Sequence, residues 1–370
     1  MATIQEQASS HKYIITFVVM SATIMQVLDT TIVNVALPDM QGALNASPDE
    51  IAWVLTSYIV ASAIFMPLTG YISDKIGRKK YLLGSMIGFT IASMFCGLSQ
   101  NLSELVAFRL LQGVFGASLV PLSQAILAHT YPPEERGRAM AIWGMGVMLG
   151  PVLGPTLGGY FAEYMTWRWN FYVNVPVGIV TIILAIFYID ETEIKERSLD
   201  WFGFGLLALG IGMLQFTLDR GNQDNWFESN VICATAVLAF LGLSSFAVYS
   251  KYFAKNPIFN VEVLTNRNFY AASIIIAFLI MGLYGAMVLQ PIMLNNLFYY
   301  PEFTIGLAMV PRGLASMFSM LFVPKLMSIM HPRYIVLIGI ALSMFGNYVQ
   351  TYYTLEADLL WMVWPLVFQG

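Results

Sequence analysis

The sequence predicts an all-α integral membrane protein, and three observations carry that reading. Hydrophobic residues make up 58% of the 370-residue chain and charged residues only 11%, where soluble domains carry about 25% charged residues. Charge-poor stretches recur along the whole length, most of them long enough to cross about 30 Å of hydrocarbon as a helix. The basic residues between them crowd into alternate loops.

The stretches fall at 13–37, 51–73, 81–99, 103–128, 138–162, 170–189, 201–218, 229–250, 268–297, 303–324, 333–353 and 358–370. That is eleven full spans and a twelfth that stops short. With the N-terminus in the cytoplasm, one side collects Lys12, Lys75, Arg78, Lys79, Lys80, Arg136, Arg138, Lys195, Arg197, Lys251, Lys255, Arg267, Lys325 and Arg333. The other side holds only Arg168 and Arg220. By the positive-inside rule this asymmetry orients the chain. Residues 1–12 are polar, and no small-residue cleavage site follows the first apolar run. It is read as a retained helix, not a signal peptide.

The first span carries Asp29 about two-thirds of the way through an apolar helix. A carboxylate at that depth is costly, and it is usually paired or protonated. It reads either as a proton or cation site facing a cavity, or as a structural acid bonded to Thr30, Thr31 or a neighbouring helix. The loop after the second span reads Gly70-Tyr-Ile-Ser-Asp-Lys-Ile-Gly-Arg-Lys-Lys80. Gly70 is expected to allow close helix approach and Gly77 a positive φ, with Asp74 set among Lys75, Arg78, Lys79 and Lys80.

The fourth span holds Arg109 and Gln112 in Arg-Leu-Leu-Gln-Gly113. Arginine keeps its proton at any relevant pH, so Arg109 either faces an acid, carbonyls or water, or snorkels to the nearby helix end. In the fifth span Gly146, Gly150, Gly154 and Gly158 recur every four residues and line one face for close packing. Pro151 and Pro155 remove helical hydrogen bonds there. Arg312, in Thr304–Gly313 of the tenth span, is a third charge within an apolar run.

Taken together these residues resemble the major facilitator superfamily. Gly70, Asp74, Gly77, Arg78 and Lys79 resemble its loop signature, and Arg109 to Gly113 its fourth-helix motif. Gly150, Gly154, Pro155, Gly158 and Gly159 resemble the antiporter motif of its exporters. Leu28–Pro38 and Trp167–Pro176 are similar to the EmrB/QacA-type drug:proton antiporters, which have fourteen spans. The resemblance implies a major facilitator fold with a six-span N-terminal half (1–190). A cytoplasmic linker and two inserted spans would follow (191–267), then an incomplete second half (268–370). Laying Gln369-Gly370 over Gln112-Gly113 puts Leu366 where Arg109 sits, and on that arithmetic the chain is expected to be C-terminally truncated.

The implied function is proton-coupled export of amphipathic, cationic or lipophilic compounds across a bacterial inner membrane. Asp29, Arg109, Gln112 and Arg312 would couple proton and substrate, and the Gly70–Lys79 loop would act as a conformational gate. A periplasmic adaptor with an outer-membrane channel is the implied partner, and the proton gradient the only drive, with no cofactor. A truncated, non-transporting fragment of such an exporter stands as the alternative. Enzymatic chemistry is not expected: His11, His129 and His331 are scattered, and no Gly-x-x-x-x-Gly-Lys-Ser/Thr loop occurs. No metal and no nucleic-acid partner is expected. Cys96 and Cys233 lie in apolar runs, where a disulfide framework is not expected.

Overall fold

The computed structural model describes residues 3–194, 198–254, 257–258, 261–354 and 358–370. Lys195, Arg197 and Lys255, counted above on the basic side, lie outside the described residues. Helices succeed one another as α1 (Thr3–Ala43), α2 (Pro48–Ile76), α3 (Arg78–Leu98), α4 (Leu102–Thr130), α5 (Pro133–Tyr164) and α6 (Trp169–Tyr188). There follow α7 (Trp201–Arg220), α8 (Asn230–Tyr252), α9 (Arg267–Asn296), α10 (Glu302–Ile329), α11 (Pro332–Gln350) and α12 (Leu359–Gln369). Among the described residues, ten helices are long and apolar enough to cross a membrane, with shorter apolar helical stretches at Arg267–Leu283 and Leu360–Gln369.

Helix starts follow local chemistry. Ser47 and Glu50 form a reciprocal capping box at the head of α2, Ser47 N–H donating to Glu50 Oε2 at 2.8 Å. Asn101 Oδ1 accepts from Glu104 N–H at the head of α4, and Asp200 Oδ1 from Gly203 N–H at the head of α7. Inside α2 the chain tightens to a 3-10 turn at Met66–Leu68, where Pro67 has no N–H to give.

The helices group into two compact units. The first comprises Met1–Met40, Ser123–Leu184 and Ile276–Gly370. Its spine is α5, which α1 flanks in parallel and α10 in antiparallel fashion: Gly146, Gly150, Gly154 and Gly158 meet Met20, Val27, Thr31 and Ile32 in rising order. Gly306, Gly313 and Met320 of α10 meet Pro155, Val152 and Gly144 in falling order.

The second unit comprises Gln41–Leu122 and Ala185–Ile275. Here α2 packs on α4, α3 on α4, and α7, itself paired with α8, on α2. Gly210 and Gly242 bring the α7 and α8 backbones together, a Cβ on Gly242 falling 2.8 Å from Gly210 Cα. The α7–α2 seam is closed by Thr56 Oγ1 donating to Asp219 Oδ2 at 2.7 Å and by Trp53 beside Phe216.

Candidate functional site

In the first unit, Asp29 is wholly buried. Its Oδ1 accepts a hydrogen bond from Asn174 Nδ2 of α6 at 3.2 Å. Of the two sequence-level candidates for local partners, Thr30 Oγ1 donates to Val27 O, and Thr31 Oγ1 donates to Val27 O and Leu28 O and across to Gly150 O at 3.1 Å. Thr31 thus ties the acid-bearing helix to α5.

The small-residue face of α5 is what lets α1 come so close. A Cβ on Gly150 would stand 2.7 Å from Val27 Cγ1, one on Gly158 2.9 Å from Ile32 O, and one on Gly154 would collide with Thr31. Pro155 turns the other way: its carbonyl backs on Gly306 of α10, and Thr156 Oγ1 donates to Gly306 O at 3.4 Å. Gly159 is buried in the same helix. The motif therefore serves two helices at once.

In the second unit, Arg109 is 0% exposed. That rules out snorkelling. Its Nε donates to Val54 O at 3.0 Å and its Nη1 to Gln112 Oε1 at 2.8 Å, with the guanidinium 4.3 Å from the centre of the Tyr58 ring. Cys96 Sγ donates to the same Gln112 oxygen at 3.6 Å. Gly113 permits this cluster by lying against Tyr58 O and Ala61, where a side chain would not fit. Tyr58 is the member that sequence reasoning missed, since nothing in its own apolar run distinguishes it. Asp29 belongs to the first unit and Arg109 to the second.

The loop residues Gly70 to Lys79 also lie in the second unit. Gly77 has φ 90° and ψ 147°, a region that is essentially glycine-only. Beyond it Arg78 N–H donates to Thr192 Oγ1 at 2.9 Å, and Lys80 Nζ approaches Glu191 Oε2 at 3.6 Å. The stretch after α6 thus caps the start of α3. Ser73 is buried, while Asp74 and Lys79 are half-buried. The expected close approach at Gly70 is not found: a Cβ there meets no atom within 4 Å. It is an exposed position facing open space, so close helix packing does not require glycine at this site.

Arg312, in the first unit, is 6% exposed and its Nη2 donates to Leu283 O at 3.3 Å. The helix pair carrying it repeats the pair carrying Arg109. Gly113 of α4 lies against Tyr58 O and the Ala61 methyl; Gly370 lies against Arg312 O and the Ala315 methyl of α10. Arg312 thus occupies the position equivalent to Tyr58, and buried Leu366 that of Arg109. The cation has moved to the other helix of the pair.

The aromatic segment at the start of α6 is partly buried. Trp167 and Phe171 are buried against each other at 87°, and the Arg168 guanidinium lies 4.3 Å from the Trp167 ring. Trp169 alone of the two tryptophans remains exposed.

Comparison with known proteins places the chain in a family. The Major Facilitator Superfamily profile matches residues 19–370. The chain is 38% identical over 303 residues to the multidrug export protein EmrB of Escherichia coli (strain K12), an alignment covering 81% of this chain and 59% of that protein. It is 36% identical over 351 residues to the fatty acid resistance protein FarB of Neisseria gonorrhoeae, covering 94% and 69%. The chain therefore spans about three-fifths of the length of its EmrB relatives. Among solved structures, the inward-open xylose transporter XylE from E. coli aligns with TM-score 0.62 over 97% of this chain and 83% of that one. At 13% identity that likeness concerns the fold alone. A multi-pass helical membrane protein with these relatives belongs to the Major Facilitator Superfamily, a superfamily of transporters, and stands beside its EmrB-type members.

Proposed function

We propose that the chain forms transport machinery of a proton-coupled exporter that moves amphipathic compounds outward across a bacterial inner membrane. The observation that carries this reading is the wholly buried Asp29, bonded to Asn174 on a helix seated in the glycine face of α5. A carboxylate in an apolar span is expensive to keep charged. A shift in its exposure during rocking would load or release a proton, and a closely packed α1–α5 pair would carry that change as one body. Gly77, Arg78 and their neighbours Gly70, Asp74 and Lys79 would gate the cytoplasmic side. Arg109 and Gln112 would hold the core of the second unit and bias the proton site. The names of the EmrB and FarB relatives, multidrug export and fatty acid resistance, support export of small molecules.

On this reading residues 1–190 form the first six-helix half, 191–267 the linker and inserted helices, and 268–370 the second-half portion. The N-terminus is cytoplasmic and the proton gradient is the only energy input. A periplasmic adaptor with an outer-membrane channel completes the route. The test is efflux of a fluorescent amphipathic dye from energised cells expressing the chain. Asp29→Asn should abolish proton-driven efflux with the protein still inserted at the normal level; undiminished efflux in that variant removes Asp29 from the mechanism.

A further inference from the structure

Within the first unit, α9, α10, α11 and α12 enclose a cavity of about 360 Å³. That lies at the lower end of small-molecule sites, which run to about 300–1,000 Å³. Its walls are unequal. Phe278 of α9 and Val336, Ile340 and Met344 of α11 give an apolar slot, the α11 residues spaced four apart on one helix face. The inner end carries Arg312 and Gln369.

Both polar groups are more than nine-tenths buried, and both are incompletely bonded. Arg312 spends Nη2 on Leu283 O, and its Nη1 has no hydrogen-bond partner among the described residues. Gln369 spends Nε2 on Asn347 Oδ1 at 3.0 Å, and its Oε1 has no partner among the described residues. A buried guanidinium with a free N–H is strongly unfavourable unless an acceptor reaches it. Among the described residues lining the cavity, Arg312 is the only charged one. The rim is open, with Phe278 and Met344 each 66% exposed.

We infer that this cavity binds a single-tailed amphipathic carboxylic acid, its carboxyl head on Arg312 and Gln369 and its hydrocarbon tail in the α9–α11 slot. The carboxylate oxygen accepts from Arg312 Nη1 in a charge-assisted hydrogen bond. The acid form of the same head can donate to Gln369 Oε1. A guanidinium with no carboxylate beside it among the described lining residues repels organic cations, so the site suits the lipophilic rather than the cationic compounds among the expected substrates. The small volume favours one tail over the two of a phospholipid. This deepens the exporter reading and rests on it for its purpose, although binding itself does not require transport.

The test uses the full chain in phosphatidylcholine nanodiscs, with radiolabelled decanoate as the probe and no proton gradient. Saturable binding is expected, competed by unlabelled decanoate but not by decyltrimethylammonium. Arg312→Gln should weaken it by about tenfold or more, the scale of one lost charge-assisted hydrogen bond, with Arg312→Lys less affected. Ile340→Trp, which fills the slot and leaves the charge, should abolish binding with the protein still monodisperse. Equal competition by decyltrimethylammonium, or unchanged binding in both Arg312→Gln and Ile340→Trp, overturns the assignment. If phosphatidylglycerol in the disc displaces decanoate stoichiometrically, the head group recognised is a lipid's and the free-acid assignment falls. Decanoate binding without any efflux would sink the exporter reading alone. Dye efflux without decanoate binding would sink this site alone.

Discussion

Arg109 shows what a buried charge asks of its surroundings. Its head is met by a backbone carbonyl, an amide oxygen and an aromatic face, three different acceptors in one geometry. A lysine reaches none of this in the same way, because its ammonium lacks the planar fork and stacks less well. Arg109→Lys is therefore expected to lower the thermal midpoint of the detergent-solubilised protein by several degrees. Arg109→Gln should lower it too, since Val54 O loses its donor. Tyr58→Phe keeps the ring and should remain close to the parent protein, as the cation–π contribution of about 0.5–2 kcal/mol survives. Differential scanning fluorimetry of the three variants checks the order. A lysine variant as stable as the parent would mean the guanidinium geometry is immaterial. The place of Arg109 and Asp29 inside apolar runs was readable from hydropathy, because a lone charge there is conspicuous, but that Arg109 is buried rather than snorkelling was not. Their partners were not: Asn174 lies 145 positions from Asp29, and an asparagine near a helix start has many commoner roles.

At the scale of the helix, the same residue type has opposite meanings at different sites. Glycines of α5 recurring every four residues announced a packing face, and α1 occupies it. Gly70 stands in a similar run, yet its surroundings are empty. Periodicity separated the two cases, since a stripe implies a partner helix and a single glycine does not. We expect Gly154→Ala to cost about 1–3 kcal/mol, the usual scale of overpacking, because its methyl collides with Thr31. Gly70→Ala should leave stability unchanged. Size-exclusion profiles after a heating series separate the two outcomes, and equal survival of both variants would mean α1 and α5 shift apart freely. Gly77→Ala is a third case, where backbone conformation and not space is limiting. With φ 90°, alanine there carries a strain of about 1–3 kcal/mol. Thr192→Val removes the acceptor of the Arg78 N–H and should destabilise the same turn by a smaller amount.

For the whole molecule, loops predicted to share a membrane side are bonded to one another. Lys12 and Glu135, at the heads of α1 and α5, form an ion pair at 2.7 Å. Lys80 and Glu191, after α2 and after α6, approach at 3.6 Å. On the side read as outer, Arg220 Nη2 donates to Asp49 O at 3.4 Å, joining the turns after α7 and α1. Charge counting alone predicted that these loops belong together in pairs, because each pair is separated by an even number of crossings. What charge cannot supply is the packing order. The packing of α7 beside α2, and of α10 along α5, depends on contacts too distant in sequence for any local pattern to signal. The remaining question is which side faces the cytoplasm, and the positive-inside rule predicts the α2–α3 and α10–α11 turns inside. Single cysteines test that answer in a Cys96→Ala, Cys233→Ser background. Asn222→Cys, in the exposed turn after α7, should react with a membrane-impermeant maleimide in intact cells. Ser328→Cys, exposed near the end of α10, should react only after the cells are opened. The reverse pattern would invert the chain and place the Gly77 turn outside. Labelling of both sites in intact cells would break the alternation itself.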